Sequence, residues 1–184
     1  ETFRRMEAES DRAMRELMTA QVQALAFCDM GVALVMEEGW GEKRVARIEE
    51  QSGLPATTGA LAMLDALKSL GAGRIAVATP YPESLHGRAA PFFARYGYAC
   101  VSDANLPIPD PAQVGKTPPS RVYDLIKSAD HPDAGAILLL ATDIRSIEMI
   151  QPLEDELGKP VISTNTCLMW KALNLAGVND PIDG

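Results

Sequence analysis

Short runs of continuously apolar residues recur along this chain and alternate with longer segments of helical periodicity. The clearest runs lie at residues 25–27, 75–77 and 137–140. A strand that is apolar at every position is buried on both faces, which is typical of parallel sheets covered by helices on each side. The pattern predicts an α/β fold in which parallel sheets are sandwiched by helices.

The periodicity also predicts the individual elements. Strands are predicted at residues 22–28, 74–79, 98–102, 136–141 and 160–164. Helices are predicted at residues 2–20, 42–52, 58–70, 83–96, 118–129, 144–157 and 166–176, with glycine or proline at most of their ends. Residues 106–119 contain five prolines, so we predict that this segment is a loop that links two halves of the chain.

A weak internal repeat relates these two halves. Residues 55–71 parallel residues 160–177, and residues 24–29 parallel residues 137–142, which makes Cys28 and Ala141 counterparts. Ligands of open α/β sheets bind beyond the carboxyl ends of the strands. The repeat therefore predicts two pseudosymmetric, Rossmann-like halves with an active-site cleft between them. The same similarity is also expected of any two βα units that share packing rules.

The expected division of the chain follows the proline-rich segment. We expect an N-terminal half at residues 1–105, which carries Cys28, and a C-terminal half at residues 106–184, which carries Ala141 and Asn165. Together they should form one compact unit, since 184 residues suffice for one α/β core. The chain opens inside a helical pattern, so we expect the first strand of the N-terminal half to be missing from this sequence.

Composition excludes several classes of function. The net charge of -8 and the pI near 4.8 leave no basic surface for a phosphate backbone, so we expect no nucleic-acid partner. No apolar run approaches the length of a membrane span, and we expect a soluble, cytoplasmic protein. Three widely spaced cysteines argue against a disulfide framework or a zinc site, and two isolated histidines argue against a His-based centre.

Cys28 is the candidate reactive residue. It follows an apolar strand and precedes Asp29, Met30 and Gly31, so it lies where a strand turns into a loop. A thiol at such a position can act as a nucleophile or as an acid and base. From the residue alone, a small buried core cysteine is the favoured interpretation. Cys100 and Cys167 have no polar turn beside them and are predicted to lie in the core.

Hydroxyl and amide groups follow the other predicted strands. Thr58 and Asn165 stand at helix starts, where backbone N–H groups favour a bound carboxylate, although plain helix capping requires the same residue types. Tyr81 follows the strand at residues 74–79, and its phenol could donate a hydrogen bond to a ligand. A surface turn with proline at a helix start explains that sequence as well.

Several segments together resemble a known enzyme family. They are MEAESD at residues 6–11, AFCDMG at 26–31, GLPATT at 53–58, VATPYP at 77–82, the run at 137–150, GKPVISTN at 158–165 and WKAL at 170–173. In this order they resemble the maleate cis-trans isomerase and arylmalonate decarboxylase branch of the aspartate/glutamate racemase superfamily. The resemblance implies two pseudosymmetric α/β halves, no cofactor, no metal, a small carboxylate or dicarboxylate substrate, and a homodimer or homotetramer.

The resemblance also assigns residues. In maleate isomerases a cysteine of the N-terminal half adds to the double bond, and Cys28 matches it. A second cysteine handles the proton, and Ala141 occupies its place. Asp29 and Thr142 directly follow these two positions, and with Thr58, Tyr81 and Asn165 they are predicted to bind substrate. Asp29 departs from the family, which usually has a small hydroxyl residue there.

The sequence thus predicts a cofactor-independent isomerase of small dicarboxylates that uses Cys28 as nucleophile. One alternative is an arylmalonate decarboxylase-like lyase, although the decarboxylases carry their single cysteine in the C-terminal half. Another is a carboxylate-binding homologue that lost turnover together with the second cysteine.

Overall fold

The computed structural model describes residues 2–28 and 30–180. Its strands are β1 (Leu25–Phe27), β2 (Ala56–Thr58), β3 (Arg74–Thr79), β4 (Ala99–Asn105), β5 (Ala136–Leu139) and β6 (Val161–Ser163). Its helices are α1 (Thr2–Met18), α2 (Met30–Val35), α3 (Trp40–Ser52), α4 (Gly59–Leu70), α5 (Glu83–His86), α6 (Ala89–Arg95), α7 (Pro111–Val114), α8 (Pro119–Ser128), α9 (Ile147–Leu157) and α10 (Thr164–Leu175).

The strands form two parallel sheets. One contains β1 and β2, and the other has the strand order β4-β3-β5-β6. The two central strands of the larger sheet, β3 and β5, are the most apolar, and β5 is buried at every position. A parallel sheet with a buried centre is what the apolar runs predicted, because such strands have helices on both faces.

Successive residues of the central strands point to opposite faces of the sheet. Ile75 and Val77 pack in one hydrophobic cluster with α2, α4, α6 and α10, whereas Ala76 and Ala78 pack in another with α8 and α9. A third cluster joins α1 and α3 to the small sheet. The predicted α/β sandwich is confirmed.

The internal repeat corresponds to a repeated strand-to-helix junction. β2 runs directly into α4, and the Oγ1 of Thr58 accepts a hydrogen bond from the backbone N–H of Leu61 at 3.2 Å. β6 runs directly into α10, and the Oγ of Ser163 accepts one from the backbone N–H of Thr166 at 3.1 Å. α4 and α10 also pack against each other. Both junctions therefore use the same N-cap to start a helix at the end of a strand.

Several elements differ from the prediction. β2 was missed because only three residues pair, and two of them are threonines. α2 was missed because its six residues are too few to show a helical period, yet five of them are buried. The predicted helix at residues 83–96 is two helices, α5 and α6, with Gly87 and Arg88 between them. The predicted loop at residues 106–119 contains the short helix α7.

Strand pairing does not follow the boundary expected at residue 105. β3 and β4 lie before that boundary, but β3 pairs with β5 from the expected C-terminal half. β3 and β5 are hydrogen-bonded neighbours at the centre of the larger sheet, and along the chain the two sheets divide between β2 and β3. In the part of the chain that the structure describes, no helix has both the length and the apolar character needed to cross a membrane.

Candidate active site

Cys28 is the residue directly after β1, and its side chain is exposed. The strand end beneath it is well packed. The ring of Phe27 meets the ring of Trp40 edge-on with centroids 5.5 Å apart, and the guanidinium of Arg44 lies 5.5 Å from the Phe27 ring centroid. Cys28 is therefore an accessible thiol on a fixed strand end. Asp29, the next predicted site residue, lies outside the described residues.

The other two cysteines have different surroundings. Cys100 is half-buried, and burial together with the charge of Asp103 raises the pKa of its thiol. Cys167 is buried, and burial raises the pKa of its thiol to about 12. A nucleophilic cysteine reacts as the thiolate, which both environments disfavour. Of the three cysteines, all within the described residues, Cys28 is the one with access to a substrate.

Thr58 lies beside Cys28 at the carboxyl end of the small sheet, because Phe27 and Thr58 are paired in the register of β1 and β2. Thr58 is fully buried, and its Oγ1 accepts the N-cap hydrogen bond from Leu61. The structure thus gives Thr58 the capping role that was the alternative interpretation. The hydroxyl proton of Thr58 is not used by that bond, and the predicted contact with a carboxylate stays a prediction.

Ala141 follows β5 and is buried, with 2% of its surface exposed. Its backbone φ is 110°, which is unfavourable for a residue with a Cβ. The register of the two strand pairs places Phe27 opposite Thr58 and Leu139 opposite Ser163, so Ala141 lies one residue further from its strand than Cys28 does. The repeat therefore aligns these two positions only to within one residue.

Asn165 and Thr142 are brought together by the larger sheet. The Nδ2 of Asn165, in the first turn of α10, donates to the backbone carbonyl of Thr142 at 3.0 Å. Asn165 is exposed and Thr142 is half-buried, so both are accessible to a ligand. Two residues that are 23 positions apart in sequence thus form one polar edge, at the carboxyl ends of β5 and β6.

Tyr81 lies two residues beyond the end of β3 and packs against both large hydrophobic clusters. Its backbone N–H donates to the Oγ1 of Thr79 at 3.4 Å. The same hydroxyl lies 3.0 Å from the Nδ1 of His86, which is buried. The sequence indicated no function for His86, because the tertiary contact with Thr79 is not visible in a single polar segment.

The predicted site residues therefore form two groups. Cys28 and Thr58 lie at the carboxyl end of the small sheet, and Tyr81, Ala141, Thr142 and Asn165 lie at the carboxyl ends of β3, β5 and β6. Two contacts between elements connect the sheets. α10, which follows β6 of the larger sheet, contacts β1 and β2 of the small sheet, and α5 contacts α2.

An open groove of about 860 Å³ lies next to the second group. Thr142 and Asn165 are on its wall, but Cys28, Thr58 and Tyr81 are not. Much of the remaining wall is apolar, and Ile147 and Met169 are more than half exposed there. Among residues 2–28 and 30–180, no group of three or more His, Cys, Asp or Glu side chains is placed to hold a metal ion.

The fold and the site define a parallel α/β protein with an exposed thiol and several hydroxyl and amide groups at strand carboxyl ends. A family model described as arylmalonate decarboxylase matches residues 1–184, and the chain belongs to this family. The resemblance found in the sequence is thereby confirmed.

Individual relatives carry two names. The chain is 32% identical over 179 residues to a maleate isomerase from Geobacillus stearothermophilus. The aligned region is 94% of this chain and 71% of the relative. It is 30% identical over 152 residues to an arylmalonate decarboxylase from Bordetella bronchiseptica. That aligned region is 80% of this chain and 63% of the relative. A solved cysteine-to-alanine variant of the maleate isomerase Iso from Pseudomonas putida S16, with maleate, superposes with a TM-score of 0.90 at 27% identity and covers 96% of this chain and 73% of that one.

Proposed function

We propose that this protein is an isomerase of small dicarboxylates that converts maleate into fumarate, with Cys28 as the nucleophile. The observation that carries the proposal is the exposed thiol of Cys28 at the carboxyl end of β1, beside Thr58. Ligands of parallel α/β sheets bind at this end of the strands. The maleate isomerases among the relatives give additional support.

The reaction begins with addition of the thiolate. The Sγ of Cys28 forms a bond to one alkene carbon of maleate, and the π electrons move to the other alkene carbon and into its carboxylate. The product of this step is a thioether with an enediolate-like dianion. Hydrogen-bond donors that hold the two carboxylates lower the free energy of that charge.

Ala141 determines how the intermediate can continue. An alanine has no proton to deliver, so the carbanion carbon stays unprotonated in this scheme. The former double bond is now single and rotates, and the electron pair then returns and expels the Cys28 thiolate. The product is fumarate, and no atom or electron is gained or lost. One cysteine is sufficient for this cycle, and no cofactor is required.

The polar side chains supply the carboxylate partners. Asn165 uses one N–H of its amide on Thr142, and the second N–H can donate to a substrate oxygen. Thr58 accepts from the Leu61 N–H and keeps its hydroxyl proton for a carboxylate. The phenol of Tyr81 and the hydroxyl of Thr142 are proposed as further contacts with the carboxylates. Asp29 is proposed to border the same substrate.

The test follows maleate by proton NMR in deuterated buffer. We expect fumarate without deuterium at its alkene carbons, because no protonation step occurs. Cys28→Ala should reduce the rate at least about a thousandfold, as expected when a nucleophile is removed. The matched control is Cys100→Ala, which removes a half-buried thiol and should keep activity. Fumarate formation that survives Cys28→Ala would disprove the role of Cys28.

A second candidate is decarboxylation of an arylmalonate. It is favoured by the match of the arylmalonate decarboxylase model to the entire chain and by the single accessible thiol, which could protonate the carbanion left by CO₂. The same NMR experiment separates the two reactions, because decarboxylation in deuterated buffer places one deuterium on the product. If neither substrate reacts but maleate binds saturably, the protein is a carboxylate-binding homologue.

A further inference from the structure

His86 ends helix α5, and its side chain is only 9% exposed. Both ring nitrogens have partners. The Nδ1 lies 3.0 Å from the Oγ1 of Thr79, and the Nε2 lies 2.9 Å from the Oδ1 of Asp103 on β4. A carboxylate can only accept, so the Nε2 carries the proton that is donated to Asp103. The imidazole is thereby fixed between the ends of two neighbouring strands.

The hydroxyl of Thr79 is the centre of this network. Thr79 is fully buried, and its Oγ1 contacts the Nδ1 of His86, the Oδ1 of Asn105 at 3.2 Å and the backbone N–H of Tyr81 at 3.4 Å. The Nδ2 of Asn105 donates to the Oε2 of Glu83 at 3.0 Å, and the Oδ1 of Asn105 faces Thr79. The hydroxyl accepts from the Tyr81 N–H and has one proton to donate, which its other two neighbours, the Nδ1 of His86 and the Oδ1 of Asn105, share.

The network encloses the turn that carries Tyr81. Thr79 precedes this residue by two positions and His86 follows it by five. The contact between Thr79 and His86 therefore joins the two ends of the turn. Two backbone bonds hold its start against the chain that follows β4, from Leu106 N to Thr79 O at 2.9 Å and from Ile108 N to Pro80 O at 3.0 Å. His86 supplies the side-chain contact that ties α5 back to the end of β3.

We propose that His86 is a positioning residue that fixes the phenol of Tyr81 through the hydroxyl of Thr79. The role of Tyr81 in holding a substrate carboxylate rests on the proposed function above. Loss of the imidazole frees the hydroxyl of Thr79 and loosens the turn, so the phenol spends less time in its binding orientation. A positioned donor is worth more than a mobile one because its conformational entropy is already lost before binding.

The kinetic test compares His86→Leu with His86→Gln. Leucine removes both hydrogen bonds, and we expect the KM for maleate to rise roughly tenfold, the effect of losing about one hydrogen bond, with a smaller change in kcat. Glutamine keeps a donor and an acceptor and should restore the KM to within about threefold. His131→Leu changes the chain's other histidine, which contacts the N–H of Asp133 at 3.1 Å, and should behave as wild type.

A double-mutant cycle shows whether His86 acts through Tyr81. In a Tyr81→Phe background, His86→Leu should cause little further loss, because the phenol that it positions is already gone. If the two losses instead multiply, the proposal is overturned. Asp103→Ala provides a second route, since the Asp103 side chain is 56% exposed and its loss frees the Nε2 of His86 with little cost in stability. It should raise the KM in the same direction as His86→Leu, and an unchanged KM would overturn the proposal.

A measurement without substrate separates this proposal from the proposed function. The ring signals of Tyr81, identified by their loss in Tyr81→Phe, should shift or broaden in His86→Leu and stay in place in His86→Gln and His131→Leu. An unchanged Tyr81 signal in folded His86→Leu overturns the positioning role even if maleate is turned over. A shifted signal in a protein without isomerase activity supports positioning while the proposed function fails.

Discussion

Asn165 donates from its Nδ2 to the backbone carbonyl of Thr142 at 3.0 Å, so the first turn of α10 is tied to the loop that follows β5. That loop contains Ala141, whose φ of 110° is held within a buried environment. α10 also packs on α4 and on both strands of the small sheet. Asn165 therefore lies on the helix that contacts both sheets, at the end that is bonded to the loop after β5.

Replacing Asn165 should affect the reaction more than the fold. Asn165→Ala removes an exposed hydrogen bond, so we expect the free energy of unfolding to change by no more than about 1 kcal/mol. Loss of a carboxylate donor should raise the KM for maleate by roughly tenfold. Steady-state kinetics and urea denaturation measure the two effects.

Asn174 gives a matched control on the same helix. Its Nδ2 donates to the backbone carbonyl of Trp170 at 2.7 Å, and it is exposed as Asn165 is. Asn174→Ala should cost a similar amount of stability and leave the KM unchanged. Equal KM values for the two variants would contradict a role of Asn165 in binding.

Glycine at position 141 should be tolerated unusually well. A φ of 110° costs an alanine about 1 kcal/mol or more, and glycine avoids that cost. Loss of the buried methyl group costs about 0.8 kcal/mol and offsets much of the gain. The backbone entropy of glycine adds a further cost similar to that at Ala136, so we expect Ala141→Gly to stay within about 1 kcal/mol of wild type. Ala136→Gly, in β5, should lose about 1 to 2 kcal/mol in urea denaturation. Equal destabilisation of both variants would argue against strain at Ala141.

Alkylation with iodoacetamide should distinguish the three cysteines. Burial raises the pKa of Cys167 to about 12, so at pH 8 only about one molecule in 10⁴ carries its thiolate. Cys28 is exposed and should be labelled first, Cys100, which is half-buried with a raised pKa, more slowly, and Cys167 roughly a hundredfold slower or more. Peptide mass spectrometry against time measures the order. Rapid labelling that persists in Cys28→Ser would show that another thiol is the accessible one.

Asp11 should make the free energy of unfolding depend on pH in the acidic range. Burial raises the pKa of its carboxyl, but hydrogen bonds and charge from Arg44 and Arg47 outweigh burial and lower it below its usual value. Because the folded pKa is below the unfolded one, the stabilisation is fully present above about pH 4 and is lost as the pH falls through the folded pKa. Asp11→Asn leaves the buried Arg44 guanidinium with one fewer partner, so we expect a loss of about 2 kcal/mol at pH 7 that shrinks on acidification.

The control for Asp11 is an exposed ion pair. Asp133 pairs with Arg74 at 2.7 Å, and both side chains are more than half exposed. Asp133→Asn should change the free energy of unfolding by less than about 1 kcal/mol at every pH. Chemical denaturation of the three proteins between pH 3 and pH 7 provides the comparison. A constant gap between wild type and Asp11→Asn would contradict the lowered pKa.

Long elements with a strong period could be predicted from the sequence. β3 was predicted with the correct ends, and α4 and α10 to within two residues, because their apolar positions repeat over several turns. β2 could not, because two of its three residues are threonines and it lacks the apolar run that marks the equally short β1. α2 could not, because six residues do not define a helical period. Their formation depends on partners elsewhere: β2 pairs with β1, and α2 is buried against α4.

The site was predictable only as a set of candidates. Cys28, Tyr81 and Asn165 could be selected because each follows a predicted strand, where ligands of α/β sheets bind. His86 could not be selected, because its partners Thr79 and Asp103 are seven and 17 positions away on two strands.

By itself, the sequence determined the layered α/β architecture, the family and the strand ends that carry polar side chains, because these properties depend on local periodicity and residue type. Only the tertiary structure decided that Cys28 is exposed and that Cys100, expected in the core as Cys167 is, lies half-buried. It also decided that Asn165 reaches Thr142 and that β3 pairs with β5. Burial, hydrogen bonds across elements and strand order depend on which segments pack together in three dimensions, and a single linear pattern does not contain that information.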